Sequence, residues 1–553
     1  MDAYVLRAGK LVPRARGRAI PRAAAPVLLA LITALGAALR LWDFGHVGAN
    51  PFYDAAVRSM SLSWHNFFFG ALEPGGQVSV DKAPADLWLQ VAAVKLFGFS
   101  GVAVRLPEVV AGIAAIPLLY DLVRRLFGVS AGIAAAAALA VLPAAILTAH
   151  SDTMDSLMML CDVGAAWLVV YGARRGRLWP IVAAGAVLGL AFNVKLFEAL
   201  VVAPALLVLI ALAVEGSLRR RALAIGAALL TLVTVGGSWI AAASLLPLGH
   251  RPWPFGSADG SIVSAVFAYN GVDRLRGHAS AAALQLDPPG PLRLLSSGGH
   301  EYLATVGTML IAAIVLPALA LALHARSRRG ASRLAVAGGV FFAVWLVTGV
   351  ALVSHMQRLE PRYLETVTAP IAAAVGIGAV GCAHALASRR RALVSICCVA
   401  AVLAVPAASA LTVAARHRSD AGLASRMSPT QLQRLSSFLR GHDGTARYEL
   451  ASSSIDRATP LIARDGRPVL MLTGEAGRAL VTPARLAALV ASGSVRYGLL
   501  ARGSAPVLSW ALHHGRDVSG AAGLPAGTLY RLTATAPPPA TARIAPRAAR
   551  RRG

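Results

Sequence analysis

Charged residues are scarce in this chain, so the places where they gather are informative. Asp54 stands in the first polar stretch, and Asp81-Lys82 follows it. His150, Asp152 and Asp155 form a third group, Lys195 and Glu198 a fourth, and His355, Arg358, Glu360, Arg362, Tyr363 and Glu365 a fifth. A carboxylate can take a proton or hold a cation, and Lys or Arg can clamp an anion, so mixed groups of this kind can do acid–base and phosphate chemistry. Each also has a plainer reading. Asp54 could be a loop carboxylate, Asp81 and Asp152 helix caps, and Lys195 a snorkelling lysine. Arg362 and Glu365, three apart, could be a structural pair. Asp162, inside an apolar run, has no assignable partner. His46, His65 and His150 show no metal-ligand spacing, and Trp64–Phe69 reads as interface anchoring or as a lipid-tail groove.

The elements that position these groups are membrane spans. The chain has 553 residues, 56% of them hydrophobic and 14% charged, which is the composition of a polytopic membrane protein. Its net charge of +27 is not a nucleic-acid signature. The basic residues recur as short clusters between apolar runs: Arg124-Arg125, Arg174-Arg175, Arg219–Arg221, Arg326 with Arg328-Arg329, and Arg389–Arg391. That spacing is what the positive-inside rule produces. The four cysteines fall within apolar runs without metal or disulfide spacing.

Apolar runs long enough to cross lie near 23–42, 105–123, 130–149, 154–172, 178–194, 197–214, 222–246, 302–324, 333–354, 364–387 and 392–414, about eleven spans. Leu87–Phe99 is shorter and contains Lys95. Laid along the interface with Trp88 as anchor, it leaves every basic cluster on one side. The expected organisation is a cytoplasmic basic tail at 1–22, a helical membrane domain at 23–414 with a long periplasmic first loop at 43–104, an extracytoplasmic α/β domain at 415–535, and a disordered basic tail at 536–553. Within the α/β domain, Arg447–Ser452, Pro468–Leu472, Val495–Leu500 and Thr528–Leu532 read as strands and Pro483–Ala491 as a helix. With this topology the five charged groups all fall at the outer face.

Three stretches carry a family likeness: Tyr53 to Gly70, Val80 to Trp88 (Val-Asp-Lys-Ala-Pro-Ala-Asp-Leu-Trp), and Asn193-Val-Lys195, with a fourth at Arg362-Tyr-Leu-Glu365. With the Arg105-Leu-Pro start of the second span, they resemble the GT-C membrane glycosyltransferases, specifically the polyprenyl-phosphate-sugar transferases of the family 39 type. These include protein O-mannosyltransferases, lipid A aminoarabinose transferases and a bacterial mannosyltransferase-like branch. The likeness extends over roughly 23–415 and into the soluble domain at Gly466–Val469 and Gly493–Tyr497. Where relatives carry an acidic pair in the first loop, this chain has Ala49-Asn50, and Asp54 lies one helical turn beyond.

The resemblance implies an all-α GT-C-like fold and transfer of a sugar from a polyprenyl-phosphate donor to a hydroxyl of a protein, glycan or lipid. It implies Asp54 or Asp81 as catalytic carboxylate, with Asp54 the preferred base and Asp81 the organiser of the clamp. Lys82, Lys195, Arg362 and Tyr363 would hold the donor phosphate, with Asp152, Asp155, Arg105 and Glu365 in support. No cofactor is demanded; Asp81 with Asp152 or Asp155 could hold a divalent metal. The alternatives are a non-catalytic partner in a glycosylation complex and a lipid-linked glycan transporter.

Overall fold

The computed structural model describes residues 4–7, 10–13, 23–48, 50–276, 289–295, 301–324, 332–357, 359–385, 389–420, 427–442 and 444–535. The Arg326–Arg329 cluster, Arg358 and the expected tail at 536–553 lie outside these residues. At the N-terminus β1 (Tyr4–Arg7) pairs antiparallel with β2 (Lys10–Pro13). The chain forms two compact units, Met1–Ala424 and Ser425–Gly553.

In the first unit, long runs of Ala, Leu, Val and Gly become helices, because a helix satisfies its own backbone groups in an apolar medium. After α1 (Ala24–Leu41) the first loop folds into three short helices. These are α2 (Pro51–Met60), α3 (Trp64–Phe69) and α4 (Ala85–Phe97). Asn50 caps α2 by accepting from Phe52 N at 3.1 Å, with Pro51 at the first helical position. Next comes α5 (Gly101–Phe127). The Arg105 guanidinium near its start lies 5.3 Å from the Phe44 ring centre, just past α1. The loop therefore begins and ends at the same end of the bundle. With 13 residues, α4 is about 20 Å long, too short to cross. Leu89, Lys95, Leu96 and Phe97 face outward, as an interfacial helix requires.

The span expected at 130–149 is two helices, α6 (Val129–Ala140) and α7 (Pro143–Ala149), bent by 60°. Pro143 cannot continue α6. The carbonyls freed at the break are satisfied by Arg40 of α1, whose Nη2 donates to Leu139 O at 3.3 Å and Nη1 to Ala140 O at 3.1 Å. That buried arginine holds the bend.

Then follow α8 (Asp155–Arg175), α9 (Trp179–Lys195), a 3₁₀ segment at Leu196–Val202, α10 (Ala203–Ala213) and α11 (Leu218–Ser244). Leu196, with φ 51° and ψ −128°, reverses the chain, so Trp179–Ala213 goes up and returns. Both its far ends meet α11: Arg220 Nη2 donates to Gly176 O at 2.7 Å and Arg221 Nε to Val214 O at 3.1 Å. The arms of α9 and α11 touch closely because Gly185 and Gly189 stand at the contact. A Cβ on Gly185 would come 2.1 Å from Ala228 O, the small-residue packing typical of membrane helices.

A π-helical segment at Ser264–Asp273 leads into α12 (Arg274–Arg276), then α13 (Glu301–His324), α14 (Arg333–His355), α15 (Glu365–Ala385) and α16 (Arg389–Ala415). Among the described residues eight helices are long and apolar enough to cross a membrane, nine with the bent pair. The fold-back at Leu196 and the added helix α16 bring this to about eleven spans. Basic clusters share one end: Arg174 Nη1 donates to Arg125 O at 2.9 Å, and Arg333 Nη2 to Val214 O at 2.9 Å.

The second unit contains α17 (Pro429–His442), α18 (Ile455–Asp465), α19 (Pro483–Ala491) and α20 (Pro506–His513). Short strands β3 (Val78–Ser79) and β4 (Trp253–Pro254) pair in the first unit. The second unit's sheet uses β5 (Leu450–Ser452), β6 (Val469–Met471), β7 (Tyr497–Leu499), β8 (Gly515–Asp517) and β9 (Leu529–Leu532), in the order β6-β5-β7-β9-β8. The first three run parallel and the last two antiparallel to their neighbours.

Candidate active site

At the end of the bundle opposite the arginine clusters lies a cavity of about 460 Å³. Its polar lining includes Tyr53, Lys82, Lys195, Arg274, Arg362 and Tyr363, and one wall is apolar, with Phe197, Phe267, Leu352 and Met356. Four cations from four parts of the chain thus face one space. Lys82 comes from the loop ahead of α4, Lys195 from the end of α9, Arg274 from α12, and Arg362 from the turn before α15.

Every cation has a fixed carboxylate. Lys82 Nζ lies 3.4 Å from Asp81 Oδ1 and donates to Tyr53 Oη at 3.0 Å. Arg274 bridges Asp81 Oδ2 at 3.0 Å and Tyr363 Oη at 2.7 Å. Asn270 Nδ2 donates to the Asp81 carbonyl at 2.6 Å. Lys195 pairs with Asp155 and, at 3.2 Å, with Glu198. Arg362 pairs with Glu360 and, at 3.2 Å, with Asp420. The Tyr363 ring is the shared floor, 5.5 Å from the Lys195 ammonium and 5.2 Å from the Arg362 guanidinium. Buried charges persist only when paired, and these pairs orient the cations before any ligand enters.

Asp54, Arg105 and Asp152 form a second, interacting group of buried charges. Asp54 follows Tyr53 on α2, and Asp152 precedes Thr153, which also lines the cavity. Asp54 is 8% exposed, and its Oδ1 has no hydrogen-bond donor. Burial raises its carboxyl to about 6, against the pull of Arg105. Asp152 is raised too, by burial and then by the Asp54 charge. Asp81 differs: burial pushes it up, but Lys82 and Arg274 outweigh burial and hold it below the ordinary carboxylate range.

The structure brings together Asp81, Lys82, Lys195, Asp155, Arg362 and Tyr363, and separately Asp54, Arg105 and Asp152. Glu365 joins neither group. It accepts from Thr148 Oγ1 at 3.0 Å, and Arg362 pairs with Glu360 and Asp420 in its place. The 3₁₀ turn at Pro361–Leu364 rotates Glu365 away from Arg362. Asp81 and Asp155, named as possible metal ligands, face an ammonium or guanidinium instead, and no group of three metal-ligating side chains occurs among the described residues. Asn270, Arg274 and Asp420 were missed. Arg274 and Asn270 lie in the Pro- and Gly-rich stretch 248–301, where their four-residue spacing was the available signal. In the aromatic stretch, Phe67 stacks on Trp88 with ring centres 5.7 Å apart. Phe68 and Phe69 pack with Phe192, Trp239 and Leu196, and Trp64 stays 84% exposed.

A helical bundle with about eleven spans, short helices in the first loop and a cation-lined cavity at one end is the GT-C glycosyltransferase fold, and this chain has it. Residues 81–240 match the family described as "Dolichyl-phosphate-mannose-protein mannosyltransferase", and 435–514 match "Putative mannosyltransferase YkcB-like, C-terminal". Two relatives from Bacillus subtilis (strain 168) are similar in sequence. "Putative mannosyltransferase YkcB" is 32% identical over 46% of this chain, and "Putative mannosyltransferase YycA" 34% identical over 47%. The matched stretches span 36% and 38% of those relatives' own lengths. Among solved structures, apo ArnT from Cupriavidus metallidurans superimposes with a TM-score of 0.56 at 16% identity, covering 93% of this chain and all of that one (100%). The archaeal oligosaccharyltransferase AglB from Archaeoglobus fulgidus, with an inhibitory peptide and a dolichol-phosphate, gives 0.57 at 12% identity over 86% and 69%.

Proposed function

We propose that this protein is a membrane glycosyltransferase that moves a sugar from a polyprenyl-phosphate donor to an acceptor hydroxyl, at the end of the bundle facing away from the cytoplasm. The observation that carries the reading is the cation-lined cavity with one apolar wall. It suits a ligand with an anionic phosphate head and a hydrocarbon tail. The likeness to ArnT supports it, since a second structure of that protein holds undecaprenyl phosphate; it superimposes with a TM-score of 0.51 at 15% identity. The arginine clusters at the opposite end support that orientation.

In the proposed reaction the acceptor oxygen bonds to the anomeric carbon while the bond from that carbon to the phosphate oxygen breaks. The acceptor's proton passes to Asp54, and the electron pair leaves with the lipid phosphate. Asp54 suits the base because burial raises its carboxyl to about 6 and its Oδ1 is free to accept. Asp81 is too acidic for that task and serves to hold Lys82 and Arg274. Those two cations, with Lys195 and Arg362, stabilise charge developing on the leaving phosphate. Arg105 keeps the buried Asp54 from rising out of the useful range.

Binding of undecaprenyl phosphate to the protein in lipid nanodiscs tests the clamp. Lys82→Ala and Arg274→Ala should each weaken it, by about tenfold to a hundredfold, the value of one charge-assisted hydrogen bond. Unchanged affinity in both variants contradicts the placement of the phosphate.

A further inference from the structure

Behind the cavity, two more acids meet in the protein interior. Asp86 on α4 is 1% exposed and Glu108 on α5 is 0% exposed. Their outer oxygens have donors: Gln90 Nε2 gives to Asp86 Oδ2 at 2.5 Å, and Ser156 N gives to Glu108 Oε2 at 2.8 Å. Their remaining oxygens, Asp86 Oδ1 and Glu108 Oε1, are buried with no N–H or O–H donor. The two carboxyl groups stand within hydrogen-bonding reach of each other. Two ionised carboxylates in that position repel, whereas one proton between them gives a short charge-assisted O–H···O bond.

We propose that Asp86 and Glu108 share a single proton, and that the protonated pair is a positioning device for the segment Asp152–Ser156 and, through it, for the lysine of the phosphate clamp. This rests on the donor site proposed above. Both ends of that segment are tied to the pair. The Gln90 amide that donates to Asp86 also donates to Asp152 O at 3.2 Å, while Ser156 N binds Glu108. Between the tethers, Met154 is held at φ 74°, a conformation that costs energy for a residue with a side chain. Its neighbour Asp155 fixes Lys195. Losing the pair therefore releases a strained turn that carries both a clamp partner and Asp152.

The other charged or titratable groups facing the pair are Asp152, Asp155 and Cys161 from around the start of α8 and Lys195 from α9. Burial holds the Asp86 carboxyl above its ordinary range. A group whose folded-state affinity for a proton is raised stabilises the fold at low pH, and that contribution is lost as pH rises. The pair thus predicts an alkaline weakness that an amide would remove. In Glu108→Gln, the amide oxygen accepts from Ser156 N and the amide nitrogen donates to Asp86 at every pH.

The test uses the full chain, with thermal unfolding in detergent and undecaprenyl phosphate affinity in nanodiscs, each measured from pH 5 to 9. The wild type should lose melting temperature and about tenfold in affinity toward pH 9, one protonation step's worth. Glu108→Gln should match the wild type at pH 5 and stay level, and Glu108→Ala should be impaired throughout. If Glu108→Gln falls as far as Glu108→Ala, the site needs two carboxylates, as a bound cation would, and the proposal is overturned. It is overturned equally if Glu108→Gln loses melting temperature toward pH 9 as the wild type does. Should the wild type bind no undecaprenyl phosphate at all, the donor reading fails, and the melting curves still decide the shared proton.

Discussion

Asp54 and Asp81 are both buried acids of the first loop, and their neighbours suit them to the opposite tasks proposed for them. One feels a single guanidinium, that of Arg105, while the other is locked between an ammonium and a guanidinium. Asp54→Asn keeps size and hydrogen bonding but cannot take a proton. It should lower transfer by at least about a hundredfold while leaving undecaprenyl phosphate binding intact. Because the Asp54 carboxyl is raised to about 6, transfer at limiting acceptor should fall below that pH as the base becomes protonated. Arg105 lowers the Asp54 value, so Arg105→Gln should move that acid limb to higher pH, read from a pH–rate profile. An unmoved limb would separate Arg105 from the base. At this scale the sequence showed the acids and lysines but not their pairings. Glu365 was grouped with Arg362 by proximity in sequence, and a 3₁₀ turn separates them. Arg274 was hidden because its partners, Asp81 and Tyr363, are each more than eighty positions away.

Among the elements, α9 and α11 owe their close approach to glycine. Gly185→Leu would drive a side chain into the α11 backbone near Ala228. A clash of that kind costs typically 1–3 kcal/mol or more, so the melting temperature in detergent should fall clearly. Gly226→Leu on α11, where no atom lies within 4 Å of a Cβ, should leave it nearly unchanged. Equal melting temperatures would show that the helices are free to move apart. Elements were legible where a period or a breaker marked them. Strands β5, β6, β7 and β9 lie on four apolar runs, and Lys195 with Glu198 marked the turn that Leu196 makes. Edge strand β8 reads Gly-Arg-Asp, is largely exposed, and carries no apolar alternation. The bend between α6 and α7 had Pro143 as its sign, but the arginine that satisfies it comes from α1, a hundred residues earlier.

For the whole molecule, the membrane helices carry two sets of cations: arginine clusters at one end, tied to Asp121 and to backbone carbonyls, and cations matched to carboxylates around a cavity at the other. Cysteines introduced singly at Arg175 and at Asn270 should react oppositely with a membrane-impermeant thiol reagent applied from outside, with labelling at 270 and none at 175. Labelling at 175 would invert the orientation and remove the proposed acceptors. Sugar transfer from a lipid phosphate is measured by following label from a panel of polyprenyl-phosphate-linked radioactive hexoses and pentoses into membrane acceptors. Membranes containing the wild type should incorporate label from one of these donors, while those containing Asp54→Asn, or lacking the protein, should not. Equal incorporation with and without the protein from every donor, or full incorporation by Asp54→Asn, would contradict it.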